Sequence, residues 1–326
     1  MSDINGTEIT DILGLSQAII KLIDTVACGV GKLYEPIHIK RMGKAKAKEL
    51  RVMSSAINDN MQLPSRYENG DVAIDATDSN ELAKRAQNRF LFQEMQKQQN
   101  IESVIVNAYN NLENETSVDG VAVDRDWILR FFDSVANVSN EQMQIIWGKI
   151  LSGEVKQSGS FSLRTLECVK NLSQKEAKCF QKVLPFMINI TSGWVIPYNG
   201  EILDKYGILY TDLLELEELG LIQMKTGLSI NLTVNSNPEQ INNGNVNIVV
   251  ISTDKQEHKV TIPIMTLTSI GNELVSIFDV EVNVAYLIDF LKNESNKMQN
   301  SNIRIRLNQL VVEGTSIRFK DLLTEQ

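Results

Sequence analysis

The residues of this chain best suited to chemistry are scattered, and their spacing builds no familiar centre. Cys28, Cys168 and Cys179 lie too far apart for a metal-ligand pair, and their odd number argues against a disulfide framework. His38 and His258 sit in different kinds of segment. That leaves little material for a histidine metal site or a Ser-His-acid triad. Gly29-Val30-Gly31-Lys32 has the small residues of a phosphate loop, but no strand precedes it and no Gly-Lys-Ser/Thr ending follows. With Ala27 and Cys28, these glycines more simply allow close helix approach or bending. Asp124 and Asp126 flank Trp127 and suit the positive end of a helix better than acid–base work. The expectation is a protein with no catalytic residues, no cofactor and no metal.

One run of charge stands apart. Lys40, Arg41, Lys44, Lys46, Lys48 and Arg51 face a single acid, Glu49, in a stretch read as a helix from about Ile37 to Ala56. Lys40, Lys44, Lys48 and Arg51 follow helical steps and share one stripe. The stripe is either a solvated face or a contact for lipid head groups or another polyanion. The chain as a whole carries a net charge of -9, which argues against a dedicated nucleic-acid binder.

These residues sit on a chain of 326 residues, 43% hydrophobic and 22% charged, enough for two or three packed domains. The opening MSDINGTEITDILG has acids and no basic run, so no secretory leader is expected, and no stretch of 18 apolar residues marks a membrane span. A reducing cytoplasm fits the cysteine usage.

Apolar periodicity predicts helices at about 11–34, 37–56, 81–112, 124–136, 140–154, 162–170 and 173–186. Residues 58–80, with Pro64 and Asn69-Gly70, read as a loop. The 81–112 helix has a polar middle, Gln96 to Asn100, where it either continues or breaks. Ser173 with Glu176 forms a capping box. Trp127 and Trp147 belong to helical aromatic stripes and are expected in the core. After residue 190 the pattern changes. Residues 194–197, 221–225, 228–234, 246–252, 258–267, 303–310 and 316–319 read as strands. Helices are expected at 210–219, 269–278 and 283–292, and Gly220 is a helix-ending glycine. The fold class is α+β: a mainly helical N-terminal region followed by a winged-helix-like α+β region. The expected domains are 1–115, a helical assembly region; 116–190, a compact helical domain; and 191–326, the winged-helix-like domain.

The winged-helix likeness rests on Leu213, Leu216, Leu219, Gly220, Leu221 and Ile222, a helix, a glycine and an apolar strand. The helix that would read DNA carries Asp212, Glu215, Glu217 and Glu218. Phosphates would repel them, so packing or protein contact is the favoured use.

Several strings together resemble a known family: GKLYEP at 31–36 with the basic helix after it, QQNIESV at 98–104, DWI at 126–128, MQIIWGKILSGE at 143–154 and GSFSLRTL at 159–166. They are similar to a bacterial family known as domain of unknown function 2806, over most of the chain and most densely from Gln98 to Phe180. The LTSIGNEL string at 267–274 resembles a Leu-Thr-x-x-Gly-x-x-Leu element of the abortive-infection alpha proteins of bacteria. The family supplies no activity and no site residues. What the resemblance implies is a cytoplasmic bacterial accessory protein in defence against phage.

The expected function is therefore a non-enzymatic sensor, effector or scaffold that acts by protein–protein assembly. The N-terminal helices carry more apolar surface than a short bundle covers, so a homo-oligomer is expected through about residues 10–115. A phage or defence-system protein is the further partner. Two alternatives stand beside this: a membrane-active effector, peripheral at the inner membrane through the amphipathic N-terminal helices, and a winged-helix DNA-binding regulator.

Overall fold

The computed structural model describes residues 16–31, 66–68, 71–73, 79–225, 227–235, 237–243, 246–254, 256–298, 302–313 and 316–323. The chain divides into two compact units, Met1–Leu166 and Glu167–Gln326.

The first unit is helical. Helix α1, Gln17–Val30, starts where Ser16 accepts a hydrogen bond from the Ile19 amide and ends at Gly31, whose φ of 69° is left-handed. That conformation is cheap only for glycine. Its buried stripe, Ile19, Leu22, Ile23 and Val26, recurs at three- and four-residue steps. A short antiparallel hairpin, β1 (Arg66–Glu68) and β2 (Asp71–Ala73), lies within the stretch expected as loop. The Asn69-Gly70 dipeptide between them is a strong hairpin-turn signal, and reading it as loop punctuation alone missed the pairing. Helix α2, Ser79–Leu112, is continuous over 34 residues, about 51 Å at 1.5 Å per residue. Its polar middle does not break it. Asn100 donates to the Ala136 carbonyl at 2.8 Å, and Gln144 donates to Asn100 at 3.3 Å and to the Val138 carbonyl at 2.8 Å. Asn100 is thus spent on the turn between α3 (Arg125–Val135) and α4 (Glu141–Lys156), while Lys97 and Gln98 bond Glu94 and Glu102 along α2 itself.

The core of this unit forms where α2 lies along α4 and α1 lies against α3. Trp147 is fully buried, with its ring edge-on to Phe131 at 5.4 Å, and Trp127 stacks on Phe131 at 5.0 Å. The Trp127 indole N–H donates to the Phe161 carbonyl at 2.8 Å. Both tryptophans are core residues, as their spacing predicts. Glycines set the helix separations. A Cβ on Gly29 would lie 2.1 Å from the Phe132 ring, and one on Gly148 would lie 2.4 Å from Asn107 Cβ. Helix α5, Leu163–Asn171, runs across the boundary between the units.

The second unit begins with α6, Gln174–Val183, which Ser173 and Glu176 cap reciprocally as the sequence predicts. Its remaining elements are β3 (Ile188–Ile190), β4 (Gly193–Pro197), α7 (Gly200–Lys205), α8 (Tyr210–Glu218), β5 (Ile222–Gln223), β6 (Ser229–Val234), β7 (Glu239–Asn243), β8 (Val246–Ser252), β9 (His258–Leu267), α9 (Ser269–Val275), α10 (Val284–Lys297), β10 (Ile303–Glu313) and β11 (Ser316–Asp321). One antiparallel sheet runs β11-β10-β8-β7; the other runs β3-β4-β9-β5, with β6 also on β9. The fold class is α+β, with a helical N-terminal region and a C-terminal region of antiparallel sheets and helices. An aromatic cluster fills this core. Tyr286 lies edge-on to Phe186 at 5.0 Å and to Tyr206 at 5.8 Å, and its hydroxyl donates to the Pro197 carbonyl. Burial pushes the Tyr286 hydroxyl above its ordinary range, so it stays a donor.

The Leu267–Leu274 string has a structural job in this unit. Thr268 Oγ1 donates to the Gly220 carbonyl at 2.6 Å and accepts the Gly271 amide at 3.1 Å, which caps α9. A Cβ on Gly271 would lie 2.1 Å from the Leu221 carbonyl oxygen. Leu267 and Leu274 are buried. The string welds the end of β9 to the turn between α8 and β5. Gly220 adopts φ 70° at that turn, as a helix-ending glycine should.

Candidate interaction surface

Several titratable side chains of the described residues pair with one another. The three cysteines are free thiols. Burial, followed by the nearby Asp212 and Glu215 charges, pushes the Cys179 thiol up to about 11, so it is a poor nucleophile at neutral pH. His258 bonds Asp254 at 2.7 Å. That hydrogen bond, with those from the Gln256 amide and Ser252 hydroxyl, holds the Asp254 carboxyl down at about 2. Asp254 also accepts from Asn302 at 2.8 Å, so the pair clasps the start of β9 to the start of β10.

In the first unit a crevice of about 530 Å3 opens beside α1, with Ile20 and Ile128 on its wall and Cys28 at its rim. Lys21 and Asp119 pair within it. Lys21 also donates to Ser158 Oγ at 3.1 Å, and the Ser158 amide donates to Asp119 at 2.8 Å. The Lys21 hydrogen bond is the main reason the Asp119 carboxyl lies below its usual range. Nearby, buried Glu154 accepts the Gly159 amide at 2.6 Å and the Phe161 amide at 3.0 Å. Burial raises its pKa, and these amides partly offset the rise. The arrangement staples α1 to two loops. It presents no nucleophile–base pair.

The first half of α2 is different. Phe90 is 61% exposed, Leu91 51% and Phe92 37%, and Leu82 is also exposed. The second half of the same helix is clamped, with Val104, Ile105, Ala108 and Leu112 fully buried. Leu82, Ala86 and Phe90 fall on one stripe at four-residue steps. Leu91 and Phe92 point about 100° and 200° away from Phe90, so the three reach different sides of the helix. Three large apolar residues in a row on an exposed helix are unusual on a monomer's surface.

A smaller apolar surface lies on α8, where Leu209, Tyr210 and Leu214 are exposed. The acids of this helix are partly occupied: Lys182 pairs with Asp212 at 2.6 Å and Lys175 with Glu215 at 3.3 Å, which holds α8 against α6.

Of the residues singled out from sequence, Lys40, Lys44, Lys48 and Arg51 lie outside the described residues, as does His38. Asp124 caps α3 by accepting the Trp127 amide at 2.9 Å, as expected. No described helix is long and apolar enough to cross a membrane. Sequence reasoning missed the Lys21–Asp119–Ser158 staple, whose members are separated by long stretches of chain. It also missed the specific exposure of Phe90 to Phe92, which periodicity alone cannot tell from a buried stripe.

No curated protein and no solved structure matches the chain significantly. A family model described as a protein of unknown function, DUF2806, matches residues 84–291. The match takes in most of α2, all of the helices from α3 to α9 and the greater part of α10. This covers more than half of the chain, and the chain belongs to the DUF2806 family.

Proposed function

We propose that this protein is a non-enzymatic sensor, effector or scaffold that assembles into a homo-oligomer through the first half of α2. The observation that carries the reading is the contrast along one helix: four buried apolar residues in its clamped half, and Phe90, Leu91 and Phe92 exposed in the other. Exposed apolar surface of this kind is stabilised by burial against a partner, at about 25 cal/mol per Å2. A cytoplasmic role in bacterial defence against phage, with a phage or defence protein as trigger, rests on the likeness of Leu267–Leu274 to the abortive-infection alpha proteins. That string also has the packing role described above, so the likeness supports shared architecture before shared action.

Light scattering at micromolar concentration tests the assembly. The wild type should exceed the single-chain mass of 36.6 kDa. A variant with Phe90, Leu91 and Phe92 all changed to Ser should fall to that mass while keeping a cooperative melting transition, at a temperature lower by the stabilisation that assembly had supplied. A wild type that runs as a clean monomer would overturn the proposal. A plaque assay with the same variant then tests whether assembly matters for defence.

A second reading, DNA regulation, is favoured by one observation. Helices α7 and α8 lie between β4 and β5, and β9 returns to pair between β4 and the β5–β6 edge, a connectivity compatible with a winged helix. The acids of α8 oppose it. A mobility-shift titration in salt decides, because phosphate contacts weaken steeply as salt rises.

A further inference from the structure

The second unit holds a cleft of about 850 Å3 that the assembly reading does not use. Small-ligand sites occupy roughly 300–1,000 Å3. Three strands and one connecting segment form its wall. On β7, Gln240 and Asn242 are exposed while Ile241 and Asn243 are buried, the alternation of a strand with one face outward. Asn189 of β3 stands directly opposite Trp194 of β4, and residues opposite each other in a ladder share a face. The adjacent pair, Ile188 and Val195, is buried on the other face. Asn189 is exposed, Trp194 is half-buried, and both line the cleft together with Gln240 and Asn242. The Asn189 amide donates to the Asn243 side chain at 3.1 Å. That bond ties β3 to β7, so the cleft opens over a closed junction between the two sheets.

The polar groups of this face are unspent, and their supports are fixed. Among the described residues nothing bonds the side chains of Asn189, Thr191, Asn242 or Glu281, or the Trp194 indole N–H. Gln240 Oε1 accepts from Asn247 at 3.2 Å, which leaves the Gln240 NH2 available. The Trp194 amide donates to Asn272 Oδ1 at 2.8 Å, and Asn272 donates in turn to the Thr268 carbonyl at 2.8 Å. The indole therefore hangs from the same weld that starts α9. The Asn283 amide donates to the Pro185 carbonyl at 2.7 Å, which anchors the segment at 280–282 that carries Glu281. A few polar groups held in place on rigid elements are what orient a small ligand.

The residue types select the ligand. Among the described residues no lysine, arginine or histidine lines the cleft. A phosphate, sulfate or carboxylate group would lose its hydration there without a cationic partner. A primary carboxamide carries both donors and acceptors, and so does a hydroxyl. Neighbouring hydroxyls of a pyranose ring match that set with no net charge. The indole face is the negative part of its quadrupole, and it attracts the polarised C–H groups that make up one face of a pyranose. We propose that this cleft binds a neutral oligosaccharide, stacked on Trp194 and hydrogen-bonded by Asn189, Gln240 and Asn242, with Glu281 accepting from a further hydroxyl. Glycoside hydrolysis in most enzymes needs two carboxyl groups flanking the bond. Glu281 is the single carboxylate among the described residues lining the cleft, so the sugar is bound and not cut.

The test uses the full chain and four neutral trisaccharides: maltotriose, cellotriose, chitotriose and mannotriose. Trp127 and Trp147 are buried in the first unit, and Trp194 is the one tryptophan on the cleft. Binding is read by tryptophan emission and by titration calorimetry. At least one trisaccharide should bind at millimolar concentration or below and shift the emission. Trp194→Ala should weaken that binding at least about tenfold, a loss of about 1.4 kcal/mol. Trp194→Phe keeps a ring and should lose less. Asn242→Thr, at an exposed position, should weaken binding several-fold without lowering the melting temperature. If Trp194→Ala lowers the melting temperature, Asn242→Thr still decides. Chromatography should recover the trisaccharide uncut. Binding of none of the four at millimolar concentration overturns the proposal. So does an affinity indifferent to Trp194→Ala and Asn242→Thr, a preference for a sulfated trisaccharide or a basic octapeptide over the neutral sugars, or cleavage of the sugar.

Discussion

Trp147 offers the sharpest test of the helical core, because two of its contributions oppose each other. The side chain is fully buried and edge-on to Phe131. Its indole N–H has no hydrogen-bond partner among the described residues. Trp147→Ala removes the ring and leaves a cavity, which should cost about 3–5 kcal/mol. For a cooperative unit of this size that corresponds to a fall of about 6–20 °C in melting temperature. Trp147→Phe keeps the edge-on contact with Phe131. The smaller ring forfeits about 2 kcal/mol of burial, and deletion of the orphan N–H returns about 1–3 kcal/mol. The net change should lie within about 1 kcal/mol of zero. Urea unfolding of both variants, followed by circular dichroism at 222 nm, measures the two values. An alanine variant that loses less than about 1 kcal/mol would refute the core assignment. A phenylalanine variant as damaged as the alanine one would show that the indole N–H is not a liability.

Three further outcomes are expected. Gly271→Ala should destabilise the second unit by about 1–3 kcal/mol, because its Cβ would meet the Leu221 carbonyl oxygen at 2.1 Å; an unchanged melting temperature would show that the weld at Thr268 is slack. The Asp254 carboxyl, held at about 2 chiefly by His258, is a depressed acid, so its contribution is present above its ordinary value of 3.8 and fades as pH falls through about 2; His258→Gln should move its carbon NMR titration midpoint upward, and an ordinary midpoint in the wild type would contradict the clasp. Changing Lys40, Lys44, Lys48 and Arg51 together to Gln should abolish binding to anionic liposomes and leave the fold intact, since each charge adds about 1 kcal/mol near such a surface; if the wild type does not float with these liposomes at low salt, the membrane reading is lost.

The helices were legible because burial imposes a period. Ile19, Leu22, Ile23 and Val26 declare their stripe, and Asp124, Asn140 and Ser173 mark helix starts by chemistry that is local to the chain, whereas the cap at Ser16 was missed and the helix placed from about 11. The strand β7 was not legible. Its residues, Glu239 to Asn243, are polar apart from Ile241, and only pairing with β8 makes them a strand. The LTSIGNEL string was visible as a pattern, yet its reason lay in a backbone oxygen, Leu221, 50 residues from Gly271 in number only and touching it in space.

The division of α2 into a clamped and an exposed half has a kinetic side. Helix residues beyond the packed region are held by propagation from an existing turn, and that gain is small per residue in water. Backbone order along this one element should therefore form a gradient. Amide exchange would be slowest near Val104 to Leu112 and quicken turn by turn toward Leu82. The exposed half is then a reserve of conformational entropy at the end of a rigid strut. Whatever covers Phe90, Leu91 and Phe92 must quench that entropy, so its affinity will answer to helix propensity at exposed positions on the remaining face, such as Arg89 and Gln93.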